Sequence, residues 1–445
     1  MLGLIGLHIV FVLCGAAVLR ALGLLRGRLL ALGPALLTGV MVLCPPLILL
    51  LILGVGLRAP TVIAVVVVVL VLAELVARRR RGVAAPARPN WGVLLIGLYA
   101  ALGAYSLARL PTIEDDARIW SLRGLALSYH HVLAPQIFQN PYESGTHPVY
   151  PLFGPVIEAL NAIAAGAPQL RFYHAELWIL FAAIIWTAAY LLGGRQRPWV
   201  APLVLLAVSP AVAQNLISGY ADVLGAALMG LGCLALGLWQ TRGSAGYLAF
   251  GTVALIAAAN TKDEDLLGAI IIFVVAVAAN HRRWREWVAA GVALAVFIAP
   301  WRLWTAAHHL SDSVQPKLGQ ALSPSYLISR HHEVHWVLEW VGAKVVEEWS
   351  WIAVTFLVLF VLCMVTRTAR RIAAFYLIAL GLIALMLTWL YATTPMSLAF
   401  LFPTSMFRTV DDFMIPAAFA SAHLLWLLSG YKPRPSVTLG SCQDR

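Results

Sequence analysis

The feature that most constrains this chain is the length of its uninterrupted apolar runs. Residues 62–76 are almost entirely Val, Ile, Leu and Ala, and residues 354–365 and 372–390 repeat the pattern. A bilayer core about 30 Å thick is crossed by a helix of roughly 20 such residues. Composition agrees: 61% of the chain is hydrophobic and 11% is charged, whereas a soluble domain is about half apolar and about a quarter charged. The expected fold class is therefore all-α integral membrane, a polytopic helical bundle of about 13 transmembrane helices.

The predicted spans lie near residues 2–25, 29–57, 59–77, 91–110, 173–193, 199–217, 222–240, 245–260, 266–280, 286–304, 350–366, 372–393 and 412–429. The first is read as a retained helix, because no small-residue cleavage site follows it. The second carries Pro45-Pro46 and is expected to kink or tilt. Four of the five cysteines fall inside apolar runs without a Cys-x-x-Cys pair, so they read as small apolar fillers.

The net charge of +11 does not indicate nucleic acid, because its distribution follows the spans. Arg26 and Arg28, Arg78 to Arg81, Arg195 and Arg197, Arg242, Arg282 to Arg285, Arg367 to Arg371, and Lys432 with Arg434 all fall on one side of the alternation. Positive residues favour the cytoplasm. The main acidic and histidine-rich segments and the two long loops then fall on the outer face, although they played no part in the assignment. Residues 1–77 form a three-helix N-terminal membrane module and 78–90 a basic, Pro/Ala-rich cytoplasmic linker. Residues 91–430 form a second membrane module and 431–445 a cytoplasmic tail. The long outer loops are expected to bear interfacial helices. These are residues 116–131 with Ile119, Trp120, Leu122 and Leu125 on one side, residues 153–165, and the Trp-rich stretch through Trp336, Trp340 and Trp349.

Several polar constellations sit at the ends of these runs. Glu114-Asp115-Asp116 is either a proton-accepting cluster or an acidic turn that starts a helix. Thr146-His147-Pro148-Val149-Tyr150-Pro151 is either a rigid turn or a ligand-facing loop. Asn260-Thr261-Lys262-Asp263-Glu264-Asp265 interrupts two apolar runs, where unpaired charge is costly. Lys262 there suits a phosphate and Glu264 its orientation or a sugar hydroxyl. Arg408, ahead of Asp411 and Asp412, suits bidentate phosphate contact or interfacial anchoring. Gly219-Tyr220-Ala221-Asp222 is a turn with Asp222 as a helix cap, or part of a site. His331 and His335 are spaced like a helical metal pair, but position 336 is Trp, which breaks the His-Glu-x-x-His protease pattern. No internal repeat is visible, which weighs against a transporter of duplicated halves.

Taken together these segments resemble the bacterial polyprenyl-phosphate-sugar-dependent glycosyltransferases of the GT-C fold class. Asp115-Asp116-Ala117-Arg118-Ile119-Trp120-Ser121-Leu122-Arg123-Gly124 is similar to a family segment in which an aspartate precedes Ile-Trp. That aspartate falls on Asp115, or on Asp116 if the register slips by one. His147-Pro148-Val149-Tyr150-Pro151-Leu152 resembles His-Pro-Asp-Tyr-Pro-Leu, with Val149 in place of the aspartate. Gly219 to Asp222 matches Gly-Tyr-Ala-Asp. Thr261 to Asp265 resembles Thr-Lys-Asn-Glu-Gly, with Asp265 replacing the glycine. Arg408 to Pro416 resembles a final Arg-to-Pro stretch. The resemblance covers residues 91–430 and leaves out the first three spans.

The resemblance implies an inverting transferase that moves a sugar from a polyprenyl-phosphate donor to an acceptor hydroxyl on a glycan, lipid or protein. It implies a bacterial inner membrane with the active site on the periplasmic side. Asp115 or Asp116 would be the base, and Lys262 and Arg408 would hold the donor phosphate. Trp120, Arg123, His147, Tyr150, Tyr220, Asp222 and Glu264 would line the sugar or acceptor site. The chemistry requires no metal, because basic side chains meet a singly charged lipid phosphate; a divalent ion at the acidic cluster stays an alternative. Nucleic acid is not an expected partner. A lipid-linked glycan ligase or polymerase, or a lipid or sugar flippase, are the alternatives.

Overall fold

A computed structural model describes residues 2–25, 27, 31–79, 91–110, 117–139, 147–167, 171–193, 200–311, 323–366 and 369–430. Among them there is no strand. The N-terminal part comprises α1 (Leu2–Ala21), α2 (Leu32–Ile52), α3 (Ala59–Arg79) and α4 (Trp91–Leu107). A π-helical turn (Ala117–Ser121) runs into α5 (Leu122–His130), followed by α6 (Pro135–Gln139), α7 (Phe153–Ala165) and α8 (Arg171–Leu192). Then come α9 (Ala201–Ala207), α10 (Pro210–Ser218), α11 (Asp222–Arg242), α12 (Ala245–Ala259), α13 (Asp263–Ala279) and α14 (Trp284–Ala307). The last part holds α15 (Pro324–Ser329), α16 (His331–Glu348), α17 (Ser350–Thr366), α18 (Arg370–Thr393) and α19 (Leu398–Leu401). A second π-helical turn (Phe402–Met406), α20 (Phe407–Thr409) and α21 (Asp411–Leu428) complete it.

Every apolar run read from the sequence is helical, but not every one has the length of a full span. Among the described residues seven helices are long and apolar enough to cross a bilayer, or nine if each of two bent pairs counts as one span. The remaining predicted spans are shorter helices or begin with acids, as α13 and α21 do. The predicted span at 199–217 is bent by 45° between α9 and α10. The cause is local: Pro210 has no N–H to donate, and Ser209 before it is extended (φ −63°, ψ 127°). Pro45 and Pro46, by contrast, lie inside an unbroken α2.

Helical segments form at 117–130, at 153–165 and at 331–348, and the second of these is buried in the bundle from Phe153 to Ala162 instead of lying along a surface. α16 meets α17 at 94°, so it runs across the direction of its neighbour. Only Val337 of α16 is buried, while Trp336 and Leu338 are exposed.

Small residues bring the helix axes together, as they do where lipid replaces water as solvent. A Cβ on Gly15 would sit 1.8 Å from the carbonyl oxygen of Ala35, and one on Gly39 would sit 1.9 Å from that of Phe11, so α1 and α2 pack backbone to backbone. Gly33 faces the ring of Trp186 and Gly246 faces the carbonyl of Leu22. The first helices therefore share one hydrophobic core with α8, α11 and α12. α3 is largely exposed.

Charge is segregated along the helices. α11 is completely enclosed in the bundle and has Asp222 at its start and Arg242 in its last turn. The helical rise puts these roughly 30 Å apart. At the basic end, Arg242 donates to the carbonyls of Leu191 (2.8 Å) and Leu192 (2.7 Å), capping α8. The other end carries the candidate site.

Candidate functional site

The site begins with a turn. Gly219 adopts φ +73° and ends α10, which frees the chain to re-enter as α11 at Asp222. On the facing side Lys262 is extended (φ −150°, ψ 163°) between α12 and α13. Asn260 anchors that linker. Its amide donates to the carbonyls of Ile256 (2.9 Å) and Phe297 (3.2 Å), and its own carbonyl accepts from the N–H of Phe153 (2.8 Å). Lys262 is thereby directed across at Asp222.

Lys262 Nζ donates to Asp222 Oδ1 at 2.6 Å and lies 3.7 Å from Glu264 Oε1. Arg408 reaches the other oxygen of Asp222 from the far side, at 3.5 Å, and its guanidinium lies 3.6 Å from the centroid of the Tyr220 ring. Arg408 also donates to the carbonyl of Thr404 (2.9 Å), while its Nε is buried with no partner among the described residues. Burial by itself would make Lys262 easier to deprotonate. The Asp222 charge, then that of Glu264, outweighs it and holds the ammonium well above the usual lysine range. Arg408 is held up the same way, by Asp222 against its own burial. Glu264 is moved up by burial in spite of Lys262.

An aromatic wall stands beside this pair. The Tyr150 ring stacks on Trp120 (centroids 5.5 Å) and on His147 (4.7 Å), and Lys262 Nζ lies 6.0 Å from its centroid. Arg123 holds the wall in place. It is fully buried and its guanidinium donates to the main-chain carbonyls of Tyr150 (3.3 Å) and His147. Trp301 does the same from α14, donating to the carbonyl of Val149 at 2.8 Å.

Of the residues singled out in the sequence, Trp120, Arg123, His147, Tyr150, Tyr220, Asp222, Lys262, Glu264 and Arg408 lie around this one centre. Asp115 and Asp116 lie outside the described residues. Arg123 acts on backbone rather than facing open space, and Asp222 is the counter-ion of both cations. Both π-helical turns abut the site: one carries Trp120 and the other precedes Arg408. Such turns recur at functional positions. The His331 and His332 rings lie tilted against each other and His335 lies 3.9 Å from Glu339, at the exposed surface of α16. Among the described residues no group of three or more His, Cys, Asp or Glu is arranged to hold a metal ion.

Asp265, Asp411 and Asp412 were not assigned a role from the sequence, yet all are buried beside the cations. Asp411 accepts from Asn215 (2.6 Å). Neither oxygen of Asp265 or of Asp412 has a partner among the described residues. A Cβ on Gly225 would sit 1.7 Å from Asp265 Oδ2, so the carboxyl fits only because residue 225 has no side chain. The signal was present in the sequence: Asp265 stands where the resembled motif has glycine, and its carboxyl uses space left by a glycine on α11. No known protein family, curated protein or solved structure matches this chain.

Proposed function

We propose that this protein is an inverting membrane glycosyltransferase with a GT-C-like fold, moving a sugar from a polyprenyl-phosphate donor to an acceptor hydroxyl at the outer face of a bacterial inner membrane. The observation that carries the reading is the convergence of Lys262 and Arg408 on one carboxylate. Two fixed cations that meet on a single anion suit a singly charged phosphate ester. The Trp120–Tyr150–His147 wall supplies flat apolar faces for a sugar ring. The membrane-spanning helices would hold the lipid tail between them, beneath the site.

In this mechanism Asp115, or Asp116, takes the proton of the acceptor hydroxyl. The oxygen bonds to the anomeric carbon from the face opposite the phosphate. The bond from that carbon to the phosphate oxygen breaks, and the lipid phosphate leaves with the electron pair. Negative charge grows on the phosphate, where Lys262 and Arg408 stabilise it. The acceptor belongs to the class of glycan, lipid or protein hydroxyls.

The test incubates purified protein with candidate polyprenyl-phosphate sugars and detects transfer. Transfer that depends on Lys262 and Arg408 supports the reading; transfer unchanged in Lys262→Ala and Arg408→Ala removes the phosphate assignment. The flippase alternative is favoured by one observation, the unpartnered acids Asp265 and Asp412 inside the bundle, since ionisable groups there often serve transport. Lipid translocation in proteoliposomes, with no glycosidic product, would select it.

A further inference from the structure

An open cleft of about 530 Å³ lies between the first turns of α16 and the segment that joins α18 to α19. Arg330, Glu333 and Trp336 line one side, and Ser397, Ala399 and Phe402 the other. Glu333, Trp336 and Trp340 recur at helical spacing, so they share one side of α16. The two walls are fastened together at both ends. At one end Arg330 Nε donates to the carbonyl of Ala392 and Nη2 to that of Thr394, each at 3.0 Å, and Tyr326 donates to the carbonyl of Thr393 at 2.9 Å. At the other end the Trp340 ring stacks on Phe402, with centroids 5.5 Å apart. Val337, Tyr391, Leu398 and Met406 join the walls in a small apolar cluster. The cleft is therefore preformed, and it leaves Trp336 56% exposed.

The lining selects a kind of ligand. Arg330 Nη1 lies 3.3 Å from Glu333 Oε1. These are the two charged residues that line the cleft, and they cancel, so nothing there attracts an ionic ligand. An alkyl chain would strip water from Glu333 and Ser397 and offer them no hydrogen bond. A neutral sugar meets both kinds of wall. Its C–H face lies flat on an indole, while its hydroxyls donate to a carboxylate and exchange hydrogen bonds with a serine. The cleft also adjoins the site already described. Phe402 opens the π-helical turn that leads into Arg408, and the helical rise over that stretch separates the two by about 9 Å. Tyr391 of the apolar cluster is hydrogen-bonded to Ser405 of the same turn at 2.8 Å.

We propose that this cleft is a saccharide-binding site that seats the sugar chain of the acceptor beside the transfer centre. Its role toward an acceptor rests on the transferase reading; its affinity for a neutral sugar chain does not. Within that reading it narrows the acceptor from glycan, lipid or protein hydroxyls to a glycan. Trp336 stacks on a ring of the chain and Glu333 accepts from its hydroxyls. The end of the chain reaches the donor past the turn that precedes Arg408.

The experiment uses the full chain purified in a sugar-free detergent, without donor. Saturation-transfer NMR is recorded with neutral trisaccharides of glucose, mannose, galactose and arabinose as probes. The expected result is saturation of the ring protons of at least one probe. Binding is expected to weaken about tenfold in Trp336→Ala and to vanish in Ala399→Trp, which fills the cleft. Both positions are exposed, so the fold tolerates the changes, and an unchanged thermal midpoint checks this. Binding of no probe overturns the proposal, as does binding that both variants leave unchanged. Signal confined to a neutral decapeptide, or to the acyl protons of added phosphatidylglycerol, overturns it in favour of a peptide or a lipid occupant. Failure of the transferase reading is seen separately: a trisaccharide binds and depends on Trp336, yet no polyprenyl-phosphate sugar is consumed.

Discussion

Lys262 Nζ donates to Asp222 Oδ1 at 2.6 Å inside the bundle, joining the start of α13 to the start of α11 across forty residues of chain. Both side chains are nearly inaccessible. A pair this enclosed is not a stabilising ornament. Its desolvation cost is comparable with its attraction, and its retention is better explained by what it holds in place.

Removing one partner strands the other charge. Lys262→Met or Asp222→Leu alone is expected to destabilise the protein by about 3–5 kcal/mol, while the double substitution costs less than the sum of the two and recovers only part of the loss, because Arg408 still loses Asp222. Thermal unfolding of the two singles and the double in detergent gives the coupling. Additive losses would show that the residues do not act on each other.

Arg408 combines a guanidinium placed over the Tyr220 ring with a carboxylate contact. Lysine keeps the charge and loses both geometries. If the transferase reading holds, Arg408→Lys and Arg408→Ala both slow transfer, by about 100- to 1,000-fold for alanine, with the fold intact by thermal midpoint. A rate for Arg408→Lys equal to wild type would show that charge alone is used.

Gly225→Ala drives a methyl group into the Asp265 carboxyl. The expected cost is about 1–3 kcal/mol from overpacking. Asp265→Ala on top of it restores the lost stability, because the colliding group is gone, whereas Asp265→Asn does not. Thermal midpoints of the three variants check this.

Trp120 is buried at 2% exposure. Trp120→Ala is expected to cost about 3–5 kcal/mol, and Trp120→Phe much less, since it keeps a ring against Tyr150. A transfer rate that falls in Trp120→Phe while stability holds would assign the indole a contact with substrate.

The distribution of charge predicts an orientation in the membrane. Exposed Ser244 is just past Arg242, and exposed Ser329 lies on α15, which bonds to the carbonyl of Thr393 at the far end of α18 through Tyr326. In a Cys442→Ser background, an impermeant maleimide is expected to label Ser329→Cys in intact cells. Ser244→Cys is expected to label only after permeabilisation. The reverse pattern would invert the topology.

The sequence by itself determined that the chain is helical and lies in a membrane, because runs of about 20 apolar residues leave backbone polar groups no partner but their own helix. It also marked the short helix at 153–165, since apolar periodicity and the glycine at 166 are local signals. Most of the residues around the site were legible for the same reason: Lys262, Arg408 and Asp222 are charges at the ends of apolar runs, where charge is conspicuous. Their mutual arrangement was not. A helix that is apolar all round has no face that hydropathy distinguishes, so nothing in the sequence said that Lys262 would meet Asp222, that Asp265 would use the space left by Gly225, or that Arg123 would spend its guanidinium on the carbonyls of His147 and Tyr150. Nor did it say that α2 would lie in the common core while α3 stays exposed. Those choices were made in the tertiary structure, by close approach at glycines and by the need of each buried charge for a partner.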